Sequence, residues 1–155
     1  MRKMIFELTM PLPPTMNEII NQARSGWQAS VELKKYWTNL IGEFVRECDF
    51  CLDSKVWIEF HWYLKNFGRD SDNVAAAAKF IMDGLVTGRA IRNDNLTVIQ
   101  SPVVHYYDRS SGDDGVLLRL SQSPDFLLDN FIVSNQFSRN SLEKHSQKIT
   151  YLVSI

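Results

Sequence analysis

Three aspartates and a lysine fall close together in this chain: Asp70 and Asp72 flank Ser71, Lys79 follows, and Asp94 closes the stretch. Carboxylates that converge without partners repel one another. A divalent cation such as Mg²⁺ relieves that repulsion, because it takes hard oxygen ligands and keeps positions open for water and phosphate oxygens. Residues of these types in one short stretch point to metal-assisted phosphodiester chemistry. Each residue also has a plainer reading. Asp72 could cap a helix, worth about 0.5–2 kcal/mol. Lys79 and Asp83 could form an i,i+4 surface pair worth about 0.2–0.5 kcal/mol. Asp94-Asn95 could be turn chemistry. Capping does not explain Asp70, and the co-occurrence of all of them favours a metal site.

The elements that must position these residues follow from hydrophobic period. Lys3 to Met10 alternates like a strand and stops at Pro11-Leu12-Pro13-Pro14. Thr15, with Glu18 three residues on, predicts a capping box for a short helix from Met16 to about Ala23. Leu33, Trp37, Leu40, Ile41, Phe44 and Cys48 recur at spacings of three and four, the buried stripe of a helix from Ser30 to about Glu47. Val56 to Lys65 alternates as the clearest strand, with Val56, Ile58, Phe60, Trp62 and Leu64 on one face. A helix is expected from Asp72 or Asn73 to Val86, with Gly88 near its C-terminal stop. At 100° per residue, Asp72, Ala76, Lys79 and Asp83 fall within about 60° of one another, opposite Val74, Ala78, Ile81 and Leu85. Leu96 to Tyr107 reads as extended, with Pro102 marking an edge or a bulge. Ser110 to Gly115 is a turn, and Val116 to Leu120 returns to make a hairpin. Ser134 to Gln147 is polar; Ile149 to Ile155 could pair as a late strand, or Phe126 to Val133 could dock on the core.

Composition sets the bounds. A chain of 155 residues, 45% hydrophobic with four Trp, suits one ordered domain. The net charge of −1 and the pI near 6.3 are not those of a generally basic nucleic-acid binder. The position of the cations matters more, and Arg69, Lys79, Arg89 and Arg92 lie inside or beside the acidic stretch. Cys48 and Cys51 have C-x-x-C spacing, but no second pair completes a zinc site and no βαβ context is apparent for a redox motif. They read as thiols at a helix end in a reducing compartment. No leader-like segment and no apolar run near the ~20 residues of a membrane span is visible, so a cytoplasmic location is expected.

The pattern Arg69-Asp70-Ser71-Asp72-Asn73, then Lys79-x-x-x-Asp83-Gly84-Leu85, then Ile91-x-Asn93-Asp94, resembles the RusA family of Holliday junction resolvases. So does Leu12-Pro13-Pro14-Thr15-Met16-Asn17, which is similar to the family's P-P-S-x-N segment after its first strand. The resemblance covers roughly residues 4 to 121. It departs from the pattern in having Asn93 in place of the first residue of an Asp-Asp pair. It also departs in a longer Asn73–Lys79 spacing, similar to that of prophage-borne relatives. Three extra residues move Lys79 by about 4.5 Å along the axis but keep it on the same stripe.

The resemblance implies that Asp70, Asp72 and Asp94 are catalytic metal ligands for one or two Mg²⁺ ions, and that Lys79 is a catalytic lysine. It implies that Arg69 and Asn73 make DNA or site-ordering contacts. Asn17 and Arg92 are further DNA-binding candidates, and Asp83 supports the site from behind. His61, alone on a strand, is left out of the catalytic set. The implied activity is Mg²⁺-dependent hydrolysis of branched DNA by paired nicks in recombination and repair, which suits a homodimer with two-fold symmetry. Trp27 and Trp37 are candidate interface residues, though Trp37 also fits the core. No membrane and no organic cofactor is implied. Another metal-dependent nuclease, or a silent junction-binding protein, is the alternative. The fold expected is α+β: a single domain over residues 1–123 with a mixed β-sheet and two or three packed helices, then a C-terminal extension over residues 124–155.

Overall fold

The alternating stretch around Trp62 becomes the strand on which the rest is built. The computed structural model describes residues 2–124 and 147–153, with side chains from residue 5 to residue 124. The element order is β1 (Arg2–Pro11), α1 (Met16–Arg24), α2 (Trp27–Glu47), β2 (Trp57–Leu64), α3 (Ser71–Ala75), α4 (Ala78–Thr87), β3 (Val104–Arg109), β4 (Gly115–Ser121) and β5 (Gln147–Val153). The strands form one mixed sheet in the order β3-β2-β4-β1-β5. The chain is thus α+β with a mixed sheet, as the sequence predicts. The late strand is β5, antiparallel to β1. The alternative docking of Phe126 to Val133 lies outside the described residues.

Glu18 makes the predicted N-terminal bond of α1, accepting the Thr15 N–H at 2.7 Å. On β2, Ile58, Phe60, Trp62 and Leu64 join Phe6, Leu8 and Met10 of β1 and Val116, Leu118 and Leu120 of β4 in one core. Ile41, Phe44, Val45 and Cys48 of α2 and Phe80, Ile81 and Leu85 of α4 close that core from one side. The predicted stripe of α2 is therefore buried only in its second half; Leu33, Trp37 and Leu40 are partly exposed. Glycines set the approach of α2 and α4. A Cβ on Gly84 would collide with Ile41 Cγ2, and one on Gly88 would lie 2.6 Å from the Gly42 carbonyl oxygen.

Three expectations are corrected. The hairpin of β3 and β4 does not form, because β2 lies between them: β3 is parallel to β2 and β4 antiparallel to it. The turn over Ser110 to Gly115 instead crosses the end of β2, where Asp114 accepts the Lys65 N–H at 2.8 Å. A β2–helix–β3 crossover unit is therefore present after all, but Cys48 and Cys51 precede it. Cys48 ends α2 as a buried thiol whose pKa burial pushes up to about 11, Cys51 is exposed, and neither is in a disulfide. A thiol held protonated in this way is a poor nucleophile.

The second correction concerns the single helix expected up to Val86, which is two. Ala77 N–H bonds the Val74 carbonyl and Lys79 N–H the Ala76 carbonyl, so i→i+3 bonds tighten the join. Alanine does not break helices on its own, so the cause is tertiary: α4 is fixed on α2, while α3 is fixed on α1. The third is the long extended stretch. Asn95–Ile99 is a turn, Ile99 makes an isolated bridge to Val56, and only Val104–Arg109 is strand. It lies at the sheet edge, as Pro102 predicts.

The other face of the sheet carries charge and is buried. Register puts Glu7, Arg119 and Glu59 side by side across β1, β4 and β2. Arg119 Nη1 donates to Glu59 Oε2 at 2.9 Å and Nε stands 3.4 Å from Glu7 Oε1. His61 Nε2 lies 3.1 Å from Glu59 Oε2, and its ring stacks on Tyr106. Glu59 is 1% exposed and Arg119 2%. His61 is thus held in a structural ladder.

Candidate active site

The site is assembled on the crossover from β2. Asp70 is the residue that enters α3, with extended backbone (φ −73°, ψ 138°), yet its carboxylate makes no capping bond. That carboxylate forms no hydrogen bond or ion pair among the described residues. Asp72 lies in the first turn of α3, where the helix dipole favours negative charge, and accepts the Asn73 N–H at 2.9 Å. The N-cap is thus Asp70 rather than Asp72, and neither side chain is consumed by capping.

Asn73 and Arg69 hold this turn in place. Asn73 Oδ1 accepts the Asn17 N–H at 2.8 Å, tying α3 to the start of α1. Arg69 Nη1 donates to Asp114 Oδ2 at 3.1 Å, tying the approach to α3 to the β3–β4 turn. Tyr107 of β3 donates its hydroxyl to the Ser71 carbonyl at 3.1 Å. Burial, with the charge of Asp72, raises the Tyr107 pKa, so this donor stays protonated. Two residues expected to touch DNA, Arg69 and Asn73, therefore order the site. Arg92 and Asn17 are exposed.

Lys79 gathers the remaining charges. Its ammonium donates to Asp83 Oδ1 at 2.8 Å and stands 3.5 Å from Asp94 Oδ2. Asp94 follows α4 in sequence, so the chain must fold back to meet a residue in the first turn of that helix. It does so through a tight exit from α4: Arg89 adopts a left-handed backbone (φ 62°), and Ala90 N–H bonds the Leu85 carbonyl. Gly88, expected to supply that conformation, has φ −79° and is glycine because the Gly42 carbonyl leaves no room for a Cβ. Ile91 then bridges to Leu52 and directs the loop back.

The electrostatics follow from these contacts. The hydrogen bond to Asp83 raises the Lys79 pKa, and the Asp94 charge adds to it against a partial loss from burial. Lys79 is held as an ammonium and is a cation and donor, never a base. Asp83 is 18% exposed, and its second oxygen, Oδ2, is buried without a hydrogen-bond partner among the described residues.

The structure thus brings Lys79, Asp83 and Asp94 together and sets Asp70 and Asp72 at the preceding helix start. Among the described residues, no three His, Cys, Asp or Glu side chains form a ready metal-holding group. The structure does not gather Asp70, Asp72 and Asp94 into one cluster; what it leaves open among the described residues are hard oxygens, the Asp70 carboxylate and Asp83 Oδ2, while Lys79 is paired with Asp83 and Asp94. Sequence reasoning missed Tyr107 and Asp114. Nothing in a strand tyrosine or a turn aspartate marks a contact made across the crossover. Among the described residues, no helix is long and apolar enough to cross a membrane. No protein-family model and no curated protein matches the chain.

Proposed function

We propose that the chain is a Mg²⁺-dependent endodeoxyribonuclease of the RusA type, which resolves four-way DNA junctions by paired phosphodiester hydrolysis as a homodimer in the cytoplasm. The observation that carries this reading is the return of Asp94 to Lys79. A surface pair between Lys79 and Asp83 needs no third partner, and a turn aspartate needs no lysine. Their meeting joins the helical and loop parts of the motif, as a shared chemical task requires.

In this reading Asp70, Asp72 and Asp94 would hold the metal. When bound, Mg²⁺ would supply a water of lowered pKa and stabilise charge building on the phosphate. The chain's own residues do the rest. Lys79, fixed as an ammonium, neutralises a non-bridging phosphate oxygen or holds the attacking water by donation. Asp83 keeps that ammonium oriented. The Asn73–Asn17 and Arg69–Asp114 bonds fix the turn that carries Asp70 and Asp72. A homodimer matches the two-fold symmetry of a junction cut by paired nicks.

Asn93, where the resemblance expects the first aspartate of a pair, favours a second reading, a junction-binding protein without cleavage. One experiment separates them: synthetic four-way junctions and matched flaps incubated with Mg²⁺. The nuclease reading expects paired nicks in the junction and not the flap. It expects Asp70→Asn to abolish nicking while junction binding stays equal or tightens, since a ligand charge is lost without a phosphate contact. Unchanged nicking by Asp70→Asn rejects the site. Tight binding without nicking by the parent selects the second reading.

A further inference from the structure

The first half of α2 adds little to the core, with Trp37 and Leu40 packed against its edge. From Trp27 to Leu40 no residue is buried, and Trp27 is 80% exposed. Contacts between α2 and α4 advance together, Ile41 against Gly84 and Val45 against Gly88, so the two helices run in the same sense. The same offset sets Ala78, the first residue of α4, level with Lys35. The turns of α2 before Lys35 therefore project past the start of α4, the end that carries Lys79. Helix α1 packs on both α2 and α3, and its second residue, Asn17, is bonded to Asn73. The α1–α2 corner is thus an arm that leaves directly from the candidate site.

Its chemistry is specific. Looking down the helix axis from Trp27, Lys34, Thr38 and Val31 all lie within about 40° of the indole, and Lys35 lies about 80° away. Glu32 falls at about 140°, off this face. Arg24 ends α1 beside the corner. Arg24, Lys34 and Lys35 are exposed and make no ion pair among the described residues. An exposed indole among three unpaired cations, with no acid on that face, is complementary to a polyanion that also offers flat rings.

We infer that the α1–α2 arm binds nucleic acid outside the cleavage site, with Arg24, Lys34 and Lys35 on backbone phosphates and Trp27 against an unstacked base at the branch point. The inference rests on the nuclease reading and adds a second contact region to it. Aromatic–base stacking is worth about 1–3 kcal/mol per base, and each phosphate contact to duplex DNA adds about 0.9 to the slope of log affinity against log salt.

The test is anisotropy of a labelled four-way junction across a salt series in EDTA, with sedimentation of the free proteins alongside. Trp27→Ala should weaken binding roughly tenfold. Lys34→Ala with Lys35→Ala should lower the salt slope by about 2. Affinities within about twofold of the parent and an unchanged slope overturn the arm alone, since the Asp70→Asn result stands apart from them. Conversion of a parent dimer to monomer by Trp27→Ala also overturns it, in favour of a second copy on this face. A parent that binds no DNA overturns both readings.

Discussion

Two charged regions of this molecule each set carboxylates against a cation and end in opposite states. On the far face of the sheet, Glu7, Arg119, Glu59 and His61 lie across three adjacent strands, with Arg119 and Glu59 almost wholly buried. On the β2–β3 crossover, Asp83 and Asp94 meet Lys79, and Asp70 and Asp72 stand at the start of α3. The first region must be matched, because an unpaired charge inside a protein costs several kcal/mol. Strand register supplies the match by setting acid, base and acid in one row. The second region is wet, so solvent tolerates a deficit of cations, and among the described residues the Asp70 carboxylate stays without a partner. Matched buried charge serves the fold; unmatched exposed charge is free to serve a ligand.

The largest effect should come from breaking the buried row. Arg119→Ala removes the guanidinium that stands between Glu7 and Glu59 and should cost about 3–5 kcal/mol in denaturant unfolding. A loss below about 1 kcal/mol would erase the distinction between the two regions. Gly84→Ala should follow at about 1–3 kcal/mol, since its new methyl meets Ile41 and pushes α4 off α2. The same displacement should separate Lys79 from Asp94 and, on the proposed nuclease reading, reduce nicking. Intact nicking with lost stability would show that the site is insulated from the helix pair.

The smallest effect belongs to the exposed pair. Asp83→Asn should change stability by only about 0.2–0.5 kcal/mol, while the Lys79 pKa falls toward its ordinary value, read from the side-chain NMR shift against pH. The sign is set by the raised folded-state value. The contribution of Lys79 is complete below the free-lysine value of 10.5 and fades as pH rises through the higher folded value. Stability of the parent near neutral pH should therefore not respond to this lysine. A large loss from Asp83→Asn near neutral pH would place the pair with the buried row.

Much of the scaffold was legible along the chain. Period-two alternation marked β1 and β2, and three-four spacing marked α2, because each element buries one face; β4 was read from the turn before it. Glu18 bonded Thr15 where the box predicts. The β3–β4 hairpin failed because adjacency in sequence was taken for adjacency in the sheet, whereas the crossover carried β3 to the far side of β2. The long helix divided because its halves answer to different partners. In the site, Lys79 with Asp83 was readable from an i,i+4 spacing. Arg69 and Asn73 were singled out, but their work as ties to Asp114 and Asn17 was not, since both partners are distant in sequence.

Local order in the chain was enough to specify element types, the faces they bury and the residues suited to phosphodiester chemistry, because each depends on neighbours within a turn or two. Folding in three dimensions settled strand order, the burial of Glu59 and Arg119 in one row, and the return of Asp94 to Lys79. Those arise from pairings between distant segments, chosen by register and by which backbones glycine lets approach, and no local window contains both partners.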